Sequence, residues 1–215
     1  MRIVLLTGLL FTGVAQADIV FNYDGFYSRM KRVQQPQFSD ITLAFVLQEQ
    51  KTALPCQPIR LYLHSDIHHV PLSIADNGEI SLPYDEALKD SKAKMVVELA
   101  DNVAPCELSL RIRSRMPLSE SLSLSQLQHY RQQFSTLMGE MAGISRYWMP
   151  KVTGIRAEFA GSQLPVGFSD PALADVTQCQ QQHCIVELEH IRVEDAQWQF
   201  KQAPLYLLPH LAGAK

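Results

Sequence analysis

The sequence lacks the motifs that identify the commonest enzyme classes. It contains no Gly-x-Ser-x-Gly, no His-Glu-x-x-His and no glycine-rich phosphate loop, which mark serine hydrolases, zinc peptidases and nucleotide-binding domains. Ser28 and Ser91 each begin a Ser-x-x-Lys pair, but the companion Ser-Asp-Asn and Lys-Thr-Gly motifs of penicillin-recognising enzymes are missing. Isolated pairs of this kind arise by chance in a chain of this composition. We therefore predict no catalytic residue, no cofactor and, on balance, no enzymatic activity.

Long apolar runs are also lacking beyond the N-terminus. Ile3 to Val14 is almost purely apolar, follows a basic Arg2 and precedes the small-x-small sequence that ends at Ala17. These three parts, in this order, are typical of a secretory signal peptide. The run is too short for a transmembrane helix, which needs about 20 residues. We expect cleavage after Ala17 and a soluble periplasmic protein with no transmembrane segment after cleavage.

The sequence has no excess of positive charge. Its formal net charge is −3, and loss of Arg2 with the signal peptide makes the mature chain slightly more acidic. Nucleic-acid-binding proteins usually carry a basic surface. Weak acidity and export together argue against nucleic acid as a partner.

The sequence has few cysteines, and their number is even. Four cysteines follow the signal peptide: Cys56, Cys106, Cys179 and Cys184. An even number in an exported chain indicates disulfides, for which three pairings are possible. We favour Cys56–Cys106 and Cys179–Cys184, because each pair then closes within one half of the chain. Cys179, His183 and Cys184 resemble half a zinc site, but an oxidising compartment favours the disulfide.

The hydrophobic pattern before Pro117 favours short strands. One helix is predicted over residues 24–33, where apolar residues recur at helical spacing. Six segments have the alternating or β-branched pattern of strands: residues 41–47, 59–67, 70–74, 79–82, 94–99 and 107–113. Asp76-Asn77-Gly78 predicts a hairpin turn between the third and the fourth. Strands and turns at this spacing predict a sandwich-like antiparallel sheet.

A long amphipathic helix is predicted after Pro117, over residues 125–142. Its apolar residues follow a 3.6-residue period. Ser123 and Gln126 have the spacing of a capping box, and Gly143 fits the end. Further strands are predicted at residues 155–159, 184–188, 191–193 and 205–208. The fold class is therefore α+β and β-rich, with a signal peptide (1–17), a β-rich subdomain (18–116) and an α+β subdomain (117–215).

Three segments of the chain resemble a known family. They are Asp18-Ile-Val-Phe-Asn-Tyr-Asp-Gly-Phe-Tyr27, Gln37-Phe-Ser-Asp-Ile-Thr42 and Leu82-Pro-Tyr-Asp-Glu86. They resemble an exported family of marine gammaproteobacteria, domain of unknown function 2987. The resemblance implies a periplasmic protein of a Gram-negative cell. It implies no activity and no site residue.

One cluster has the composition of a metal site. His64, Asp66 and His68 are spaced at i, i+2 and i+4, with His69 adjacent, and on one strand the first three would project from one face. Two imidazoles and a carboxylate are good ligands for a divalent metal. The alternative is the polar outer face of an amphipathic strand. A loop in place of the strand would remove the argument.

Two further groups are candidate binding surfaces. Arg111, Arg113 and Arg115 alternate along a predicted strand and could contact an anionic glycan or glycolipid. An ordinary solvated strand face explains the same pattern. Phe21, Tyr23, Phe26 and Tyr27 could stack on a sugar or dock another envelope protein, although large aromatic side chains are usually buried.

These patterns favour a soluble periplasmic binding or docking protein without catalytic activity. The alternative is a metal-dependent hydrolase or metal-binding protein that uses His64, Asp66 and His68. A purely structural envelope protein has no sequence feature that separates it from the first possibility.

Overall fold

The computed structural model describes residues 18–101, 103–160, 166–168, 171–189, 191 and 196–213. The predicted signal peptide lies outside these ranges, as does most of the predicted strand at 191–193. The described chain combines antiparallel sheets with one long α-helix. The prediction of a β-rich α+β fold is confirmed.

The elements fall into two series along the chain. The first is β1 (Ile19–Asn22), α1 (Tyr23–Val33), a 3-10 helix (Pro36–Phe38), β2 (Ile41–Glu49), β3 (Arg60–His64), β4 (His69–Pro71), β5 (Glu79–Ile80), α2 (Glu86–Asp90), β6 (Lys94–Glu98) and β7 (Cys106–Ser114). The second is β8 (Ser121–Ser123), α3 (Leu124–Ala142), a 3-10 helix (Gly143–Trp148), β9 (Val152–Glu158), β10 (Val166–Phe168), α4 (Pro171–Asp175), β11 (Thr177–Gln180), β12 (His183–Glu187), β13 (Gln197–Phe200) and β14 (Tyr206–Leu211).

The two series share one connectivity. Each begins with a short strand that runs directly into an α-helix, then a 3-10 helix, then a long strand. In each, the long strand pairs with the last strand of its series, and the first strand pairs with the penultimate one. The sheet orders are β1-β6-β3-β4 and β5-β2-β7, then β8-β13-β10 and β11-β12-β9-β14. The second series therefore repeats the topology of the first, except that its fourth strand, β11, joins the other sheet of the pair.

Helix α1 forms because its apolar residues recur on one side. Tyr23, Phe26, Tyr27, Met30 and Val33 are buried, at the spacing of one helix face. Phe26 meets Phe45 of β2 edge to face, with ring centroids 5.1 Å apart. Tyr27 stacks on Tyr84 at 4.8 Å. This face joins the helix to its sheet and belongs to the main core.

Helix α3 begins and ends where the sequence predicts. Ser123 Oγ accepts a hydrogen bond from the backbone N–H of Gln126, whose side chain returns to the Ser123 N–H, so the capping box is present. Gly143 follows the helix with φ of 57°, a value that disfavours other residues. No α-helix in the described part of the chain is both long and apolar enough to span a membrane.

Some of the short strands differ from the prediction. The strand predicted over residues 59–67 stops at His64. The predicted hairpin around Asp76-Asn77-Gly78 is present but short: the N–H of Ala75 donates to the Glu79 carbonyl at 2.9 Å, the N–H of Ser81 donates to the Ser73 carbonyl at 3.0 Å, and a bridge pairs Ile74 with Ile80. On its other side, β5 pairs with β2.

Both favoured disulfides are present. Cys56 bonds to Cys106 across 50 residues, and Cys179 bonds to Cys184 across 5. Each disulfide lowers the conformational entropy of the unfolded chain. By the loop-entropy model, this stabilises the folded protein by about 4 kcal/mol for the first disulfide and about 2 kcal/mol for the second. The pairing prediction is confirmed.

Candidate binding site

The residues proposed for a metal site do not share a strand face. His64 is the last residue of β3 and His69 the first of β4, and the two are cross-strand partners. Asp66 and His68 lie in the turn between them. The alternation along one strand, on which the prediction depended, therefore stops before Asp66.

The side chain of His68 is engaged elsewhere. Its Nδ1 lies 3.3 Å from the hydroxyl of Ser65 and 3.2 Å from that of Ser91. Within the described ranges, no group of three or more His, Cys, Asp and Glu side chains is placed to hold a metal ion. The sequence argument for a metal at His64, Asp66 and His68 has lost its geometric basis.

Three of the four aromatic candidates belong to the core, and the fourth, Phe21, packs against it partly buried. Tyr23, Phe26 and Tyr27 are 0%, 7% and 5% exposed. Burial follows from their position on the inner face of α1, where a large aromatic side chain contributes most to packing. They do not form an exposed binding surface.

The arginine candidates lie on β7 and just beyond it. Arg111 donates to the neutral side chain of Gln48 at 2.7 Å, whereas Arg113 forms an ion pair with Glu79 at 2.6 Å. Arg115 follows the end of the strand. Arg113 thus pairs with a carboxylate, while the described hydrogen bond of Arg111 goes to a neutral amide.

A second polar surface lies on strands β9, β12 and β14. Alternation turns Ile155, Ala157, Cys184, Val186 and Leu207 into the core, where all five are 0% exposed. The intervening residues face the other way. We call their surface the polar sheet face.

The strand register arranges this face in three rows. Glu158 is the partner of both His183 and Tyr206. The next row places Arg156 between Ile185 and Leu208, and the third places Gly154 between Glu187 and His210. Residues opposite each other on neighbouring antiparallel strands lie about 5 Å apart, so each row is a set of contacts.

Gly154 has a specific role in the third row. It carries no side chain, and His210 Nε2 and Glu187 Oε1 approach to 2.9 Å across its strand. A Cβ at this position would lie 2.1 Å from the carbonyl oxygen of Val186, so only glycine fits. In the neighbouring rows, Arg156 Nε donates to Glu158 Oε1 at 2.5 Å.

Burial alters the chemistry of two groups on the face. It lowers the pKa of His183 below its usual value, and the nearby Arg156 cation lowers that pKa further. Burial also raises the pKa of Tyr206, with a contribution from Glu158, while Arg111 and Arg113 act in the opposite direction. Strand β14 packs against β7, where the N–H of Leu207 donates to the hydroxyl of Ser114, and this packing brings the β7 arginines near the polar sheet face.

The face is part of a concavity. A hollow of about 620 Å³ is lined by Arg156, His183, Glu187 and His210, together with Gln178 and Gln180 of β11. This volume is within the range of small-ligand sites. The sequence signals a strand at 155–159, but only the pairing of three distant strands brings these side chains together.

The fold and the polar face define a β-rich α+β protein with a concave polar surface. The chain belongs to the family described as "Protein of unknown function (DUF2987)", whose model matches residues 15–159. The match includes β9 and ends before β12 and β14. No curated protein and no solved structure matches the chain.

Proposed function

We propose that the chain is an exported, periplasmic binding protein and that its polar sheet face binds a glycan that carries an acidic group. The observation that carries this proposal is the three-row register, which brings His183, Arg156 and His210 into one concavity. The two disulfides are compatible with an oxidising compartment such as the periplasm.

The composition of the face favours a sugar. A sugar ring has an apolar C–H side and a rim of hydroxyl groups. The middle row supplies aliphatic Ile185 and Leu208 beside Arg156, and the outer rows supply donors and acceptors. A few placed polar groups around apolar contacts are typical of small-ligand sites.

The arginines favour an acidic group on that sugar. Arg111 lies near Tyr206 at the edge of the face, and its described hydrogen bond goes to the neutral side chain of Gln48. A guanidinium whose described partner is a neutral amide can also pair with a carboxylate in two parallel hydrogen bonds. Arg111 is therefore the β7 arginine that we propose for this contact, because Arg113 already pairs with Glu79.

Histidine NMR tests the proposal directly. The probe is the disaccharide of N-acetylglucosamine and N-acetylmuramic acid, which carries a carboxylate; chitobiose is the neutral probe of matched size. We expect the imidazole signals of His183 and His210 to shift with the acidic probe, while those of His64 and His68 stay in place. Unchanged His183 and His210 signals would contradict the proposal.

A matched pair of variants tests the site. Arg156→Gln should weaken binding about tenfold, because Arg156 pairs with Glu158 through Nε, and a hydrogen bond from its other guanidinium nitrogens to a charged group contributes about 1.5–3 kcal/mol. Arg60→Gln is the control: Arg60 also lies on a strand and pairs with a glutamate, Glu98, at 2.6 Å. Equal affinity of the two variants for the acidic probe would show that the polar sheet face is not the binding site.

The pH dependence has a defined sign. The pKa of His183 is lowered in the free protein, and a bound carboxylate would stabilise its protonated form. The NMR titration midpoint of His183 should therefore rise when the acidic probe is bound. By linkage, affinity should increase as the pH falls through the pKa of His183.

A further inference from the structure

The turn after α3 exposes an unusual number of large apolar side chains. In the 3-10 helix Gly143–Trp148, Ile144, Tyr147 and Trp148 are 82%, 73% and 80% exposed, and no residue of the segment is buried. Single exposed apolar residues are common, but a contiguous exposed group marks an interaction site. We call residues 144–148 the aromatic turn.

The charge around the aromatic turn is opposite to that of the whole chain. Between Met141 and Ile155 there is no Asp or Glu, whereas Arg146 and Lys151 are present, in a protein of net charge −3. Arg146 lies over the ring of Tyr147, 5.0 Å from its centroid, and donates to the Tyr147 hydroxyl at 2.9 Å. The turn therefore presents apolar side chains beside fixed positive charge.

We propose that the aromatic turn inserts into the interface of an anionic lipid membrane. Tyr and Trp prefer this region because their rings are apolar and their tips are polar. Basic side chains beside them are attracted to anionic lipids. This surface is separate from the polar sheet face, and its role does not depend on glycan binding.

The size of the turn favours a lipid surface over a protein partner. A stable protein interface covers about 800 Å² on each side, or some 20 residues. The aromatic turn lies within a 3-10 helix of only six residues, Gly143–Trp148. Three exposed side chains on a short turn suit shallow insertion between lipid headgroups, which needs no matching surface.

Trp148 makes the proposal directly measurable. The chain has two tryptophans, and the other, Trp198, is 0% exposed and keeps a constant emission. The folded protein is mixed with vesicles of phosphatidylcholine alone or with phosphatidylglycerol added. We expect a blue shift of emission and quenching by brominated lipid with the anionic vesicles, and weaker effects at high salt.

Variants distinguish membrane binding through the aromatic turn from nonspecific binding by other exposed apolar residues. Trp148→Ser should weaken vesicle binding about tenfold, as judged by co-sedimentation, and the triple variant Ile144→Ser, Tyr147→Ser, Trp148→Ser should abolish it. Ile67→Ser is the matched control, since Ile67 is 77% exposed in the β3–β4 turn. Emission from Trp198 and far-UV circular dichroism show that each variant is folded.

Three results would overturn the proposal. One is the absence of binding to anionic vesicles, and another is binding that survives in the triple variant. The third is concentration-dependent dimerisation without lipid that the triple variant abolishes, because this would identify a second copy of the chain as the occupant of the turn.

Discussion

At the scale of single residues, Tyr23 combines core packing with two hydrogen bonds. Its side chain is 0% exposed, its hydroxyl donates to the Pro83 carbonyl at 2.5 Å, and it accepts from the Asp85 N–H at 3.0 Å. Burial also raises the pKa of the phenol. Tyr23 thereby fixes the segment that leads into α2, whose N-cap is Asp85.

Replacing Tyr23 by Phe should lower the free energy of unfolding by about 1–3 kcal/mol, because it removes two part-buried hydrogen bonds, one to the Pro83 carbonyl and one from the Asp85 N–H. Urea denaturation measures the difference. Tyr147→Phe is the control: it also removes a hydroxyl hydrogen bond, but an exposed one, and should change stability by less than about 0.5 kcal/mol. Similar losses in both variants would contradict this account of Tyr23.

The polar sheet face shows what sequence reasoning could not find at this scale. His183 stood out only as part of a possible zinc site, and nothing distinguished Arg156 or His210. Their proximity depends on how β9, β12 and β14 pair, which local spacing does not determine. The spacing argument for a metal site failed at Asp66, because alternate residues share a face only as long as the strand continues.

At the scale of elements, α3 was predictable because its signals agree. The apolar period, the capping box and the terminal glycine all indicate the same boundaries. The sequence does not indicate the buried Gln133, whose Nε2 donates to Asp40 Oδ2 at 2.7 Å. This bond joins α3 to the segment before β2. Short strands such as β5 were harder to predict from the sequence, because their position depends on pairing with a strand that is distant in the chain.

Phe134→Ala tests the packing of α3. Phe134 is 0% exposed, so we expect the loss of buried surface and the cavity to cost about 3–5 kcal/mol. Thermal and urea unfolding measure the loss. Gln132→Ala on the exposed side of the same helix should be nearly neutral. A nearly neutral Phe134→Ala would show that the helix does not pack through this residue.

At the scale of the whole molecule, the repeated topology supports a division into two domains, residues 18–116 and 117–215, which we propose. The equivalent positions hold different residues: Phe21 and Met95 are partners in the first series, and Leu122 and Trp198 are partners in the second. Different apolar side chains can fill one core position. The sequence therefore shows no internal repeat even though the topology has one.

A buried hydrogen bond connects the two series. The N–H of Leu207 on β14 donates to the hydroxyl of Ser114 on β7 at 2.8 Å, and both residues are 0% exposed. Ser114→Ala should lower the free energy of unfolding by about 1–3 kcal/mol, because it leaves a buried N–H without a partner. Urea denaturation provides the measurement. Ser109→Ala, at a half-exposed position on the same strand, is the control and should have little effect.

The meeting of β7 and β14 also bears on self-association. Each is the outermost strand of its sheet, and an open outermost strand offers unpaired backbone groups to any other chain. In the intact protein, each of these strands lies against the other. A cut between Arg115 and Glu120 that let the halves separate would uncover both at once, and the fragments could then add strands to one another. The tandem arrangement thus protects the protein from aggregation as well as building its surfaces.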